Sequence, residues 1–222
     1  MRRQRHSTMR ANFINAVKTN QAAFKIDLPD EAIERLADFY VLVQENNPLL
    51  HLVAPSSPEE FAVRHILESL MLLEHLPQRA TFADVGAGAG LPSIPCLLVR
   101  GDLSAVLIES KIKKADYLNE IANALGIAGR ARIENRQFEE VVSTGFSAVT
   151  CRALDKFTER VPRLVKWSKG RRLLLFGGPS LAGALEKLKL PFTAKLLPMS
   201  DRRYLFVTGR TSRDGSRKTT FR

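Results

Sequence analysis

The sequence is poor in several kinds of residue at once. Its 222 residues hold 2 cysteines, 1 tryptophan and 3 tyrosines. Cys96 and Cys151 lack the close spacing of metal ligands, which excludes a disulfide framework and a cysteine-based zinc site. Two reduced thiols in a cytoplasmic protein are expected. No apolar run approaches the roughly 18 residues needed to cross a bilayer, so no membrane partner is expected. The basic start leads into no apolar stretch and does not read as a secretory signal. His51, His65 and His75 show no metal spacing, and H-E-x-x-H, P-loop and G-x-S-x-G patterns are absent. These absences argue against a hydrolase, a nucleoside triphosphatase or a metal centre.

Acidic residues are also scarce at the two ends, with none in residues 1–25 and only Asp214 in 202–222. The net charge is +11, yet residues 1–25 alone carry +6 and residues 202–222 another +6, leaving −1 for the body between. A near-neutral body with two basic ends suits a polyanion held by its backbone, and so a nucleic acid. Two solvated tails are the plainer alternative.

Hydrophobic content of 45% fits one globular domain with an appendage, expected to be monomeric. Residues 1–10 read as disordered. Helical spacing then runs from Pro29 to about Glu45, where Asn46-Asn47-Pro48 predicts a stop. Ser57 with Glu60 fits a capping box, and Pro58 opens a helix to about Leu76. Residues 1–80 are therefore predicted to be a basic segment and a helical appendage. From 81 to 209 strands and helices alternate. Strands are predicted near 81–85, 104–109, 130–134, 146–151, 171–176, 192–198 and 203–208, with helices near 92–100, 111–125, 137–143, 156–169 and 179–189. Five parallel strands and a closing antiparallel hairpin make a seven-stranded, mostly parallel Rossmann-like sheet. That α/β architecture is the one found in class I S-adenosylmethionine-dependent methyltransferases. Residues 210–222 read as a basic disordered tail.

The stretch Thr81–Pro92 carries the sharpest signal. A short apolar run contains Asp84, then Gly86, Gly88 and Gly90 follow at every second position, and Pro92 opens the next helix. A strand, a glycine turn and a helix start bring backbone close to a ligand. Dinucleotide turns read G-x-G-x-x-G without a preceding acid. Asp84 suits a cofactor that presents positive charge, such as S-adenosylmethionine, and suits a pyrophosphate poorly. A dinucleotide, or a turn that merely packs, remains open at this point. Glu109 at the end of the second strand is placed to accept bonds from a ribose. Lys111, Lys113 and Lys114 oppose the dipole of the helix they begin, which suits a phosphate partner. Phe138 and Glu139 could sandwich an adenine and hold its amine. Arg152 ends the fourth strand and could bind a cofactor carboxylate or RNA.

These residues resemble the ribosomal RNA small-subunit methyltransferase G family, also called glucose-inhibited division protein B. The resemblance rests on Arg64-His65-Ile66-Leu67-Glu68-Ser69, on Asp84 through Pro95, on Glu109-Ser110 with its lysines, and on Cys151-Arg152-Ala153. It implies methyl transfer from S-adenosylmethionine to N7 of a guanosine in 16S ribosomal RNA, or in a precursor of the small ribosomal subunit. By matching positions, the cofactor would touch Gly86, Leu91, Phe138, Glu139 and Arg152. RNA contacts are expected from Arg64, His65, Lys111, Lys113, Lys114, Arg202 and Arg203. No general base is expected, because N7 already offers a lone pair. Three places depart from the family pattern: His51-Leu52-Val53 stands for Asn-Leu-Thr, Glu68 for Asp, and Gly177-Gly178 for Lys-Gly. A methyltransferase of another RNA or a small molecule, or a catalytically impaired RNA-binding relative, are the alternative readings.

Overall fold

The computed structural model describes residues 2–152 and 157–209. The tail predicted at 210–222 lies outside the described residues.

Five strands run parallel: β1 (Thr81–Val85), β2 (Ser104–Ile108), β3 (Ala131–Glu134), β4 (Ala148–Arg152) and β5 (Arg172–Gly177). β6 (Phe192–Leu196) and β7 (Tyr204–Thr208) close the sheet as an antiparallel hairpin, giving the order β3-β2-β1-β4-β5-β7-β6. The central strands are near-continuous apolar runs because helices cover both faces, as parallel sheets require. Val85 pairs with both Ile108 and Cys151, so β1, β2 and β4 end level. That register brings Gly86, Glu109 and Arg152 to one edge, at the point where the strand order reverses.

One face of the sheet is covered by α1 (Arg2–Asn20), α2 (Asp30–Leu50), the helical run 58–75, α5 (Ser93–Val99) and α6 (Ile112–Ala124), whose apolar side chains share a single cluster with those of the strands. The other is covered by α7 (Phe157–Ser168) and α8 (Pro179–Lys187), around Trp167, Leu173 and Phe206. Each layer holds one fully buried thiol, Cys96 in the first and Cys151 in the second.

Three local expectations need correction. Residues 2–10 continue into α1 instead of being disordered, because Phe13 stacks on Tyr40 at 4.7 Å and Arg10 pairs with Glu34 and Asp38 of α2. α2 runs through Pro48 to Leu50. Asn47 sustains this end: its Oδ1 accepts from the Leu52 and Val53 amides, while His51 takes the left-handed conformation and donates to Asn47 O. α5 begins at Ser93, with Pro92 as its N-cap, and not at Pro92.

Gly90 adopts φ +85°, and a Cβ there would meet Ile94 Cδ1 at 2.4 Å. Gly90→Ala should therefore lower the free energy of unfolding by about 1–3 kcal/mol, from backbone strain and overpacking, measurable by denaturant titration.

Candidate functional site

The glycine turn is held by one carboxylate. Gly86 and Ala87 both donate their amides to Ile108 O, at 2.9 and 3.2 Å, which folds the chain over the end of β2. There Glu109, 7% exposed, accepts from the Gly88 amide through Oε2 at 3.0 Å and from the Lys111 amide through Oε1 at 2.8 Å. Gly88 can aim its N–H this way because it sits at φ +50°. A carboxylate oxygen offers more than one lone pair, so Glu109 still has acceptor capacity.

A cavity of about 460 Å³ opens above this turn, floored by Gly86, Gly88 and Leu91 and flanked by Glu109 and Lys111. Leu52, Val53 and Ala54 form another part of its wall, so the family departure at 51–53 faces the site. Lys114 ties that loop down by donating from Nζ to His51 O at 3.3 Å. Arg152, Arg160 and His65 complete the wall. A larger cavity, about 580 Å³, lies at the opposite, amino edge of the strands, beside His75, Ser147 and Arg172, away from the glycine turn.

Arg152 is held by a distortion of the helical run. After α3 (Pro58–Phe61) the helix widens into a π turn over Ala62–Leu67, where the Glu68 amide reaches back five residues to Val63 O. The π turn leaves the Arg64 carbonyl able to accept from Arg152 Nη2, and α4 (Glu68–Leu70) then presents Glu68 to the same Nη2 at 3.1 Å. Such π turns recur at functional sites. The guanidinium also lies 5.2 Å from the Phe176 ring centroid. Its Nη1 is buried with no hydrogen-bond partner among the described residues.

Two further buried groups are electrostatically unusual. Asp84 is fully buried under the turn; Ser93 Oγ donates to its Oδ2 at 2.6 Å, while Oδ1 has no partner. Burial raises its pKa to about 7, against the Ser93 bonds. His65 packs on Phe61, and burial, with the nearby charges of Arg152, Arg64 and Arg203, lowers its pKa to about 3. It is neutral at physiological pH and a very weak base.

The structure thus brings Gly86, Gly88, Leu91, Glu109, Arg152, His65, Lys111 and Lys114 to one cavity. Asp84 and Gly90 lie beneath the turn and off the cavity wall. Phe138 and Glu139 do not line this cavity: Phe138 is 3% exposed with its ring centroid 5.6 Å from that of Trp167, and Glu139 pairs with Arg163. Arg203 donates from Nε to buried Glu68 at 2.7 Å and keeps 27% of its side chain exposed. Arg64 pairs with Glu60, whereas Lys113 and Arg202 are exposed. Gly177 has no room for the family's lysine unless Leu181 moves, since a Cβ would lie 2.6 Å from Leu181 Cδ2. Residue patterns missed Arg160 and the role of Glu68; an acid inside the apolar run of 61–72 was the available sign of the latter.

Asp84 supplies a pH test. A folded pKa of about 7 lies above the ordinary 3.8, so its stabilising contribution is complete below about pH 4 and is lost as pH rises to 7. The stability difference between Asp84→Asn and wild type should grow in favour of the variant across that window, by on the order of 1.4 kcal/mol per unit, and level off above it. Denaturant titrations of both proteins without ligand, from pH 4 to 8, measure it.

The family model for rRNA small subunit methyltransferase G matches residues 32–194. A ribosomal RNA small subunit methyltransferase G from Sorangium cellulosum is 32% identical over 160 residues, covering 69% of this chain and 67% of its own length. One from Azoarcus sp. is 35% identical over 136 residues, covering 58% of this chain and 64% of its own. The chain therefore spans about two thirds of the length of the curated relatives it matches. Among solved structures, an RNA methyltransferase from Salinibacter ruber in complex with S-adenosyl-L-homocysteine aligns with a TM-score of 0.50 at 15% identity, over 74% of this chain and 98% of that one, a likeness of fold.

Proposed function

The chain belongs to the rRNA small subunit methyltransferase G family, and on that premise we propose that it transfers a methyl group from S-adenosylmethionine to N7 of a guanosine in 16S ribosomal RNA, acting as a cytoplasmic monomer. The observation that carries this reading is the cavity at the reversal point of the sheet, with Glu109 at the glycine turn and Arg152 on the wall.

The residues present fit that cofactor. It carries an ammonium, a carboxylate, a ribose and a sulfonium. Three buried polar atoms at this edge lack partners among the described residues, Asp84 Oδ1, Arg152 Nη1 and His65 Nδ1, and buried polar atoms without partners are costly. Arg152 would take the carboxylate, Glu109 the ribose hydroxyls, and Asp84 would act from below through its field on the positive groups. When bound, S-adenosylmethionine supplies an electrophilic methyl carbon.

The chain's own part is to orient. Leu91, Val53 and neutral His65 line part of the cavity with little that competes for a methyl group. Guanine N7 has a free lone pair, so no side chain is required to remove a proton before attack. Catalysis rests on alignment and on preorganised charge. The base must be presented unstacked, because the deep groove of A-form RNA hides N7. Lys111, Lys113 and exposed Arg202, together with the basic ends, would hold the backbone around it, making binding strongly salt-dependent.

Mapping N7-methylguanosine in 16S ribosomal RNA from cells with and without this gene tests the proposal. One position should lose its methyl group and regain it when the purified protein and S-adenosylmethionine are added to small subunits or free RNA. An identical map in both strains would overturn it. Lys113→Ala with Arg202→Ala, both exposed and off the cavity wall, should weaken RNA binding about tenfold or more at 0.15 M salt, reduce the salt slope by up to about 2, and leave cofactor affinity within twofold.

A further inference from the structure

We propose that Glu68 is a positioning residue for cofactor binding: it fixes the guanidinium of Arg152 at the cavity wall, and ties it to the β6–β7 connection through Arg203. Glu68 is 1% exposed and receives two cations, Arg152 Nη2 at 3.1 Å and Arg203 Nε at 2.7 Å. These partners are 84 and 135 residues away in sequence, so the bridge joins three separate elements. A carboxylate this deeply buried is tolerated only when paired.

Geometry makes the bridge directional. Arg152 Nη2 is taken twice, by Glu68 Oε2 and by the Arg64 carbonyl, both presented by the π turn and the turn that follows it. Phe176 stacks beneath the same group. Rotation about the arginine side chain is thereby blocked, and Nη1 is left as the donor with nothing to bond among the described residues. The charges complete the case. One carboxylate shared by two guanidiniums leaves a net positive charge at this part of the cavity wall, which favours an anionic group of a ligand. On the reading of this cavity as the cofactor site, that anion is the carboxylate of the cofactor's amino-acid end. Glu68 itself does not line the cavity and acts through Arg152.

The role separates from simple scaffolding by the choice of ligand. S-adenosylhomocysteine carries the carboxylate, whereas 5′-methylthioadenosine keeps the adenine, ribose and sulfur and lacks it. Glu68→Gln offers one acceptor oxygen in place of two and cannot hold both guanidiniums. Calorimetry should find S-adenosylhomocysteine bound about tenfold or more weakly by Glu68→Gln, the worth of one charge-assisted hydrogen bond, with 5′-methylthioadenosine within twofold of wild type. Equal losses for both ligands, or no loss for either, would overturn the proposal. Should Glu68→Gln not fold, Arg203→Gln removes the other leg, pairs Glu68 with Arg152 alone and cancels the net charge; it should weaken S-adenosylhomocysteine severalfold and spare the other ligand, and an unchanged ratio of the two affinities would count equally against the role. Failure of wild type to bind either ligand would instead refute the cofactor site itself.

Discussion

One carboxylate decides whether this sheet edge has a floor. Glu109 reaches from the end of β2 to the Gly88 and Lys111 amides, and so joins the glycine turn to the start of α6. It can do so because β1 and β2 end in register, with Val85 opposite Ile108. Turn, cavity and basic helix start hang from that join. A buried acid needs donors, and a glycine turn with positive φ values has amides to give. Each satisfies the need of the other.

The charges around the cavity follow from the same scarcity of water. Asp84 is pushed toward neutrality by burial, and His65 is held neutral by burial among arginines. Glu68, by contrast, is surrounded by cations. The site thus keeps its fixed charge in a tethered arginine, beside an acid under the turn whose charge changes near neutral pH. Burial strengthens what such groups do to a charged ligand, and pairing elsewhere keeps the fold from having to carry them bare.

Much of this was legible in the residues alone. The strands from Thr81 onward were readable because both faces are covered, which leaves unbroken apolar runs between turns. Gly86, Gly88, Leu91, Glu109 and Arg152 were readable because the strand ends of such a sheet converge. The first half of α1 was not, although 11–24 showed sparse helical character: apolar periodicity is slight there, and stacking of Phe13 on Tyr40 supplies what local preference lacks. Pro48 misled for the same reason, since Asn47 rebuilds the helix end around it. The packing of Phe138 against Trp167 was not legible, because nothing local says which way a ring at a strand edge will turn. Arg203 was unreadable as a buried partner because Glu68 lies 135 residues earlier. Long-range pairing of this kind leaves no local pattern.

The two thiols have a use that their inertness creates. Cys96 sits in the layer beneath the amino-terminal helices and Cys151 in the layer beneath α7 and α8, each fully shielded. Burial keeps the Cys96 thiol protonated far above neutral pH, so neither layer exposes a ready nucleophile while packed. A membrane-thin sheet therefore comes with its own pair of clocks: the rate at which a maleimide captures each sulfur times the opening of one side independently of the other, with no probe having to be engineered in.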